Sequence, residues 1–139
     1  MKISEKISLT PLKKIDLDDG DILHALKKSD PGYAGFGEAY FSFIKFNAIK
    51  AWKLHKEMTL NLIVPVGEVR FVFFSEQDAS FLEVEIGKKN YQRITVQPEI
   101  WFGFKGIHES TSIIINIANI EHNPDEGLKK SINEFNYEW

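Results

Sequence analysis

The stretch AWKLHKEMTLNLIVPVGEVRFVFF, residues Ala51–Phe74, carries two apolar, β-rich runs on either side of one turn. Thr59–Val66 reads TLNLIVPV and Val69–Phe74 reads VRFVFF. Both are rich in β-branched and aromatic residues, and Pro65–Glu68 between them has turn composition. The same alternation continues outward. Asp16–Asp21, Ser29–Gly37, Ser75–Ser80, Gly87–Asn90, Gln97–Glu99, Gly106–Ser112 and Glu121–Gly127 are turn-like. Between them stand AYFSFIKF, FLEVEI, YQRITV and SIIINIANI. Short strands at fairly even spacing predict an antiparallel sandwich or barrel, and a jelly roll is among these. Two segments are less definite. DGDILHALKK suits either a strand or a helix. The tail DEGLKKSINEFNYEW suits a short helix or an irregular segment packed on the sheet.

The chain has 139 residues, which predicts one domain over residues 1–139. No apolar run approaches the roughly 20 residues that cross a bilayer as a helix, and MKISEKISLT has no apolar core of a secretory signal. There are no cysteines, which removes disulfide frameworks and thiolate zinc sites and suits the cytoplasm. A formal charge of −3 without a basic cluster argues against nucleic-acid binding by phosphate neutralisation. No membrane partner is expected. Aromatic residues make up 13%, enough for some to line a pocket as well as the core.

Side-chain alternation sharpens the reading. In FGEAYFSFIKF, Glu38, Tyr40 and Ser42 share one face, and Ala39, Phe41 and Phe43 the other. In AWKLHKE, Lys53, His55 and Glu57 share a face opposite Trp52 and Leu54. The polar faces meet water, or they line the mouth of a barrel where a ligand would meet Glu38, Tyr40, Lys53 and His55.

Metal-binding cupin jelly rolls use a His-x-His pair, a following Glu and a later His. Here the first His position holds Lys53, which has no lone pair while protonated. The Glu position, counted back from Gly67, holds Leu60. The later His falls on Phe102 or Gly103. One donor of four remains, so we expect no metal and no other cofactor. His24, His108 and His122 sit in turn-like segments, where they read as exposed polar residues.

Taken in order, four segments resemble the dTDP-4-dehydrorhamnose 3,5-epimerase family, metal-free cupins acting on nucleotide-linked sugars. They are Lys13–Tyr33 (KKIDLDDGDILHALKKSDPGY), Phe36–Phe74, Ile94–Gly106 (ITVQPEIWFGFKG) and Ala118–Glu126 (ANIEHNPDE). They are similar to the family's opening strand pair, its RGLH motif and VGEV turn, its Pro-bearing turn before HGF, and its YYSP stretch. The resemblance implies an all-β antiparallel jelly roll, a cupin barrel, in a homodimer. It implies a nucleotide-sugar ligand and proton abstraction beside a 4-keto group, in surface-polysaccharide synthesis. Such chemistry needs a base, a group to hold the enolate, and an acid.

Carried across, the family's base histidine falls on His55. Its arginine falls on Trp52, which leaves Lys50 or Lys53 to meet phosphate as point charges. Its enolate-stabilising lysine falls on Leu60, with Asn61 adjacent. Its second histidine falls on Phe102, and its acid tyrosine on Glu121 or His122. The carboxylate partner of its base sits in a C-terminal extension beyond the position of Trp139, leaving Glu38 or Glu57 to orient His55. Two accounts follow. The chain is an epimerase or keto-isomerase with base His55, acid Glu121 or His122, and Tyr40 as a hydroxyl donor. Alternatively it binds a sugar nucleotide or related carbohydrate without turnover, with Trp52, Trp101, Phe102 and Phe104 as stacking surface. Those four rings are equally readable as core.

Overall fold

The computed structural model describes residues 2–139; Met1, the first residue of the expected domain, lies outside them. Among the described residues a single helical turn, α1 (Ile3–Lys6), precedes twelve strands. These are β1 (Ile7–Pro11), β2 (Lys14–Ile15), β3 (Ile22–Leu23), β4 (Glu38–Ile44), β5 (Ile49–His55) and β6 (Leu60–Val66). Then come β7 (Glu68–Ser75), β8 (Ser80–Gly87), β9 (Gln92–Val96), β10 (Trp101–Gly106), β11 (Ser112–Ala118) and β12 (Gly127–Lys129). One five-stranded sheet has the order β1-β9-β6-β11-β4 and the other β12-β5-β10-β7-β8. β2 and β3 form a separate pair, and neighbouring strands within each sheet are antiparallel. From β4 to β12 the chain changes sheet at nearly every step, the connectivity of an antiparallel jelly roll of cupin type.

The opening stretch folds as its composition predicts. β6 and β7 are joined at Gly67, whose φ of 88° favours glycine. A side chain there would also overlap Ser112. Leu60, Leu62 and Val64 of β6 face Phe71 and Phe73 of β7 across the interior, with Ile94, Val96 and Ile114 beside them. β10, with Gly103 at its centre, lacks the plain alternation of the other strands. Its glycine lets it approach Ala51 of β5, and the β5–β10 register slips there.

The two indefinite segments resolve differently. Within DGDILHALKK only Ile22–Leu23 is a strand, paired with Lys14–Ile15. The irregular chain beyond it is held by side chains of the first sheet. The guanidinium of Arg93, fully buried, donates from Nη1 to the Ala25 carbonyl (3.0 Å) and from Nη2 to that of Pro31 (2.6 Å). Its Nε donates to Asn61 Oδ1 (3.0 Å), and Asp30 supplies a carboxylate at 3.4 Å. The Tyr91 hydroxyl donates to the His24 carbonyl and Asn61 Nδ2 to that of Gly32. These partners are what make a buried charge tolerable.

In the tail, Gly127–Lys129 adds to β5 as an edge strand, and the residues beyond run irregularly over the outer face of that sheet. Phe135, Tyr137 and Trp139 pack there against Trp52, Trp101 and Val72. No helix among the described residues is long and apolar enough to cross a membrane.

Candidate active site

His55 ends β5 with its side chain on the interior side of the sheet, and only 5% of it is exposed. Its Nδ1 lies 2.6 Å from Oε1 of Glu126, itself buried, in the turn that leads into β12. The other carboxylate oxygen accepts hydrogen bonds from the backbone N–H of Glu57 (3.1 Å) and Met58 (3.0 Å). Burial alone would raise the Glu126 pKa. The hydrogen bonds from His55 and the two backbone amides outweigh it and hold the group below its ordinary value. An ionised Glu126 only accepts, so Nδ1 carries the proton and Nε2 the lone pair. Burial pushes the His55 imidazolium below its ordinary 6.5, against the hydrogen bond and charge of Glu126; Lys53 and His122 push the same way as burial. At neutral pH the ring is therefore a neutral base with a fixed tautomer. The ring of Phe102 lies nearly parallel to it, with 6.2 Å between centroids.

Two adjoining cavities open here. The first, of about 330 Å³, has Phe71, Phe102 and Phe104 on one wall and Tyr40, Ser42 and Asn116 on the other. The second, of about 400 Å³, contains His55, His122 and Glu126. Lys53 and Lys129, paired across β5 and β12, line both, and Lys50 lines the first.

The polar faces read from the sequence thus turn inward. Tyr40, Ser42, Lys53 and His55 face cavities, while Phe41 and Phe43 are 65% and 59% exposed on the outside of β4. The structure brings together His55 and His122, and Tyr40, Lys50, Lys53 and Phe102. Four candidates stand apart. Glu38 and Glu121 line neither cavity, and Glu121 is exposed. The Asn61 amide is occupied by Gly32, Arg93 and Thr95. Trp101 faces the tail, and its Nε1 donates to Glu76 (2.5 Å).

Trp52 borders the first cavity, but its indole packs against Phe135 and Trp139 and donates to the Ile132 carbonyl (3.2 Å). Leu60, at the position of the family's lysine, is buried core. The carboxylate beside His55 is Glu126, neither Glu38 nor Glu57. Sequence reasoning missed it because the two residues meet only through the β5–β12 register, 71 positions apart. The one sequence signal was a carboxylate at the end of the NPDEG turn, next to the candidate acids. Among the described residues no three His, Cys, Asp or Glu side chains converge as a metal site would require.

No family model matches the chain. A probable low-salt glycan biosynthesis epimerase, Agl13, of Haloferax volcanii is 27% identical over 84 residues, 56% of this chain. The match covers 54% of that protein, so the chain spans about half the length of the curated relative it matches. A dTDP sugar isomerase from Desulfovibrio desulfuricans G20 superposes with a TM-score of 0.90 at 29% identity, over 94% of this chain and 87% of the other. The dTDP-4-dehydrorhamnose 3,5-epimerase from Sulfolobus tokodaii superposes with a TM-score of 0.83 over 99% and 84%. At 18% identity that second likeness is one of fold. The chain resembles the dTDP-sugar isomerases and dTDP-4-dehydrorhamnose 3,5-epimerases.

Proposed function

We propose that the protein is an epimerase or keto-isomerase of a dTDP-linked 4-keto-6-deoxy sugar, acting in the cytoplasm in polysaccharide synthesis. The observation that carries this reading is the buried His55–Glu126 pair opening on a cavity. A buried carboxylate is costly to maintain unless it is hydrogen-bonded, and a structural module gains little from one. Here it fixes a neutral imidazole with its lone pair on Nε2, which suits removal of a proton from carbon. The likeness to a dTDP sugar isomerase supports the substrate class.

In this reading Nε2 of His55 takes the proton from the carbon beside the keto group, and the electron pair moves to the carbonyl oxygen as an enolate. Lys53, in the same cavity, supplies positive charge where the family's lysine position holds Leu60. His122 returns a proton: to the opposite face of the same carbon in epimerisation, or to the former carbonyl carbon in keto-isomerisation, where the neighbouring hydroxyl passes its proton to the enolate oxygen and becomes the new carbonyl. Glu126 touches no substrate and acts as a positioning residue.

The test is solvent deuterium incorporation into dTDP-4-keto-6-deoxyglucose, followed by NMR. Label at a carbon adjacent to the keto group is expected, lost in His55→Asn while dTDP binding persists. Binding without exchange in the native chain overturns the enzymatic reading in favour of a carbohydrate-nucleotide binding module.

The homodimer belongs to the same proposal. Phe41 and Phe43 stand exposed on edge strand β4, with the half-buried Ile113 and Ile115 opposite them. Light scattering that returns a monomer mass at micromolar concentration contradicts it.

A further inference from the structure

One side of the His55 ring meets the second cavity, and another meets a small closed chamber. Met58, Leu60, Val96, Ile100 and Phe102 wall that chamber, with His55 and Gln97 its polar lining. It has no room for a water molecule, and an apolar void of that kind stays dry. Among the described residues Phe102 is the one that borders both the chamber and the first cavity, so its ring stands between the two. The backbone places it there. Phe102 pairs with Lys53 of β5 and is diagonal to His55, two residues on, within reach of a flat ring. The register slips between Phe102 and Gly103, and such irregularities re-aim side chains beside active sites. The result is the offset, nearly parallel stack on His55, with 24° between the ring planes.

The charged and titratable groups that face His55 are Glu126 and His122 from the turn before β12, Lys53 from β5 and Lys129 from β12. β6, β9 and β10 present Leu60, Val96 and Phe102, which carry no charge. Burial is the largest influence on the proton affinity of His55, ahead of Glu126. We propose that Phe102 is a positioning residue for the base: its ring fixes the plane of the His55 imidazole and seals the dry chamber against water from the first cavity. The inference rests on the reading of His55 as base and names what keeps that base neutral. Opening the seal lets water solvate the imidazolium, so His55 takes up its proton at higher pH. The acid limb of the rate profile moves up with it, the direction opposite to that expected on loss of the Glu126 charge.

NMR titration of the His55 ring, identified by its disappearance in His55→Asn, tests this without turnover. Phe102→Ala should raise the His55 midpoint by about one pH unit, and the acid limb of kcat/KM for deuterium exchange should follow. Phe102→Val should shift both the same way by a smaller step, and it carries the test where Phe102→Ala does not melt cooperatively. Phe102→Tyr keeps the ring and should hold the midpoint near its native value. Phe104 borders the first cavity and not the chamber, so Phe104→Ala should leave the midpoint in place. A midpoint that stays or falls in a cooperatively folded Phe102→Ala or Phe102→Val overturns the inference, even if exchange proceeds. A rise of equal size in Phe104→Ala overturns it as well. A midpoint that rises as expected, in a protein whose native chain binds dTDP without exchange, overturns the enzymatic reading alone.

Discussion

The sheet β12-β5-β10-β7-β8 has two aromatic faces that differ in everything but composition. On the inner face Phe71, Phe102 and Phe104 border open space, and His55 stacks on one of them. On the outer face Trp52, Trp101, Phe74 and Phe81 are covered by Phe135, Tyr137 and Trp139, with ring centroids as close as 4.4 Å. The nitrogens of the outer face also serve packing. Trp52 and Trp101 each donate to a neighbour, and Lys130 sits 4.8 Å above the Trp101 ring. Alternate residues of one strand therefore serve chemistry and stability separately, as Trp101 and Phe102 do on β10. Change at the polar groups that line the inner cavities should alter rate more than stability, and change under the tail on the outer face should do the reverse.

The largest expected effect is on the inner face. His55→Asn should lower exchange about 10²- to 10⁴-fold, the span of general-base catalysis, in a chain that still unfolds cooperatively. The outer face is next. Trp52→Ala should cost about 3–5 kcal/mol in denaturant unfolding, while the rate per folded molecule stays near native. A loss of rate beyond the unfolded fraction would break the division between faces. Glu126→Gln should lower kcat/KM about 10- to 100-fold, the worth of a charged hydrogen bond. It should also move the acid limb of the pH profile lower, since Glu126 raises the His55 pKa and its charge is then gone. A merely structural Glu126 would leave that limb in place.

The smallest effect is on stability against pH. The folded state holds His55 below 6.5, so the unfolded chain takes up its proton first as pH falls. The melting temperature should decline from pH 7 downward through 6.5, and His55→Asn should flatten that decline. The stability held by the lowered Glu126 pKa is present above 4.5 and is lost at lower pH, as pH falls through the folded value.

Most of the longer strands were legible because each run carries its own alternation and its own turns; β1 and β10 were not among those runs, and in β10 Gly103 interrupts the alternation. Even the two faces were legible: alternation in AWKLHKE already set Trp52 opposite Lys53 and His55. Assigning Trp52 and Trp101 to a ligand wall with Phe102 ignored that rule, and the structure follows it. The cover over their rings was less legible, since SINEFNYEW has no strand or helix period of its own. Glu126 could not be found by spacing, because its distance from His55 is set by which strand pairs at the edge of β5. The resemblance pointed away from it, to a carboxylate beyond the chain.

Arg93 has a consequence for handling the protein. Residues 24–32 have almost no ladder of their own and are fastened through carbonyl oxygens to Tyr91, Arg93 and Asn61. Exposed Lys27 and Lys28 lie inside that fastened span. A protease needs a locally opened stretch of chain to seat a bond, which intact fastening denies it. Arg93→Met should therefore turn Lys27–Lys28 into the first site of trypsin cleavage, in a molecule whose two sheets still resist digestion.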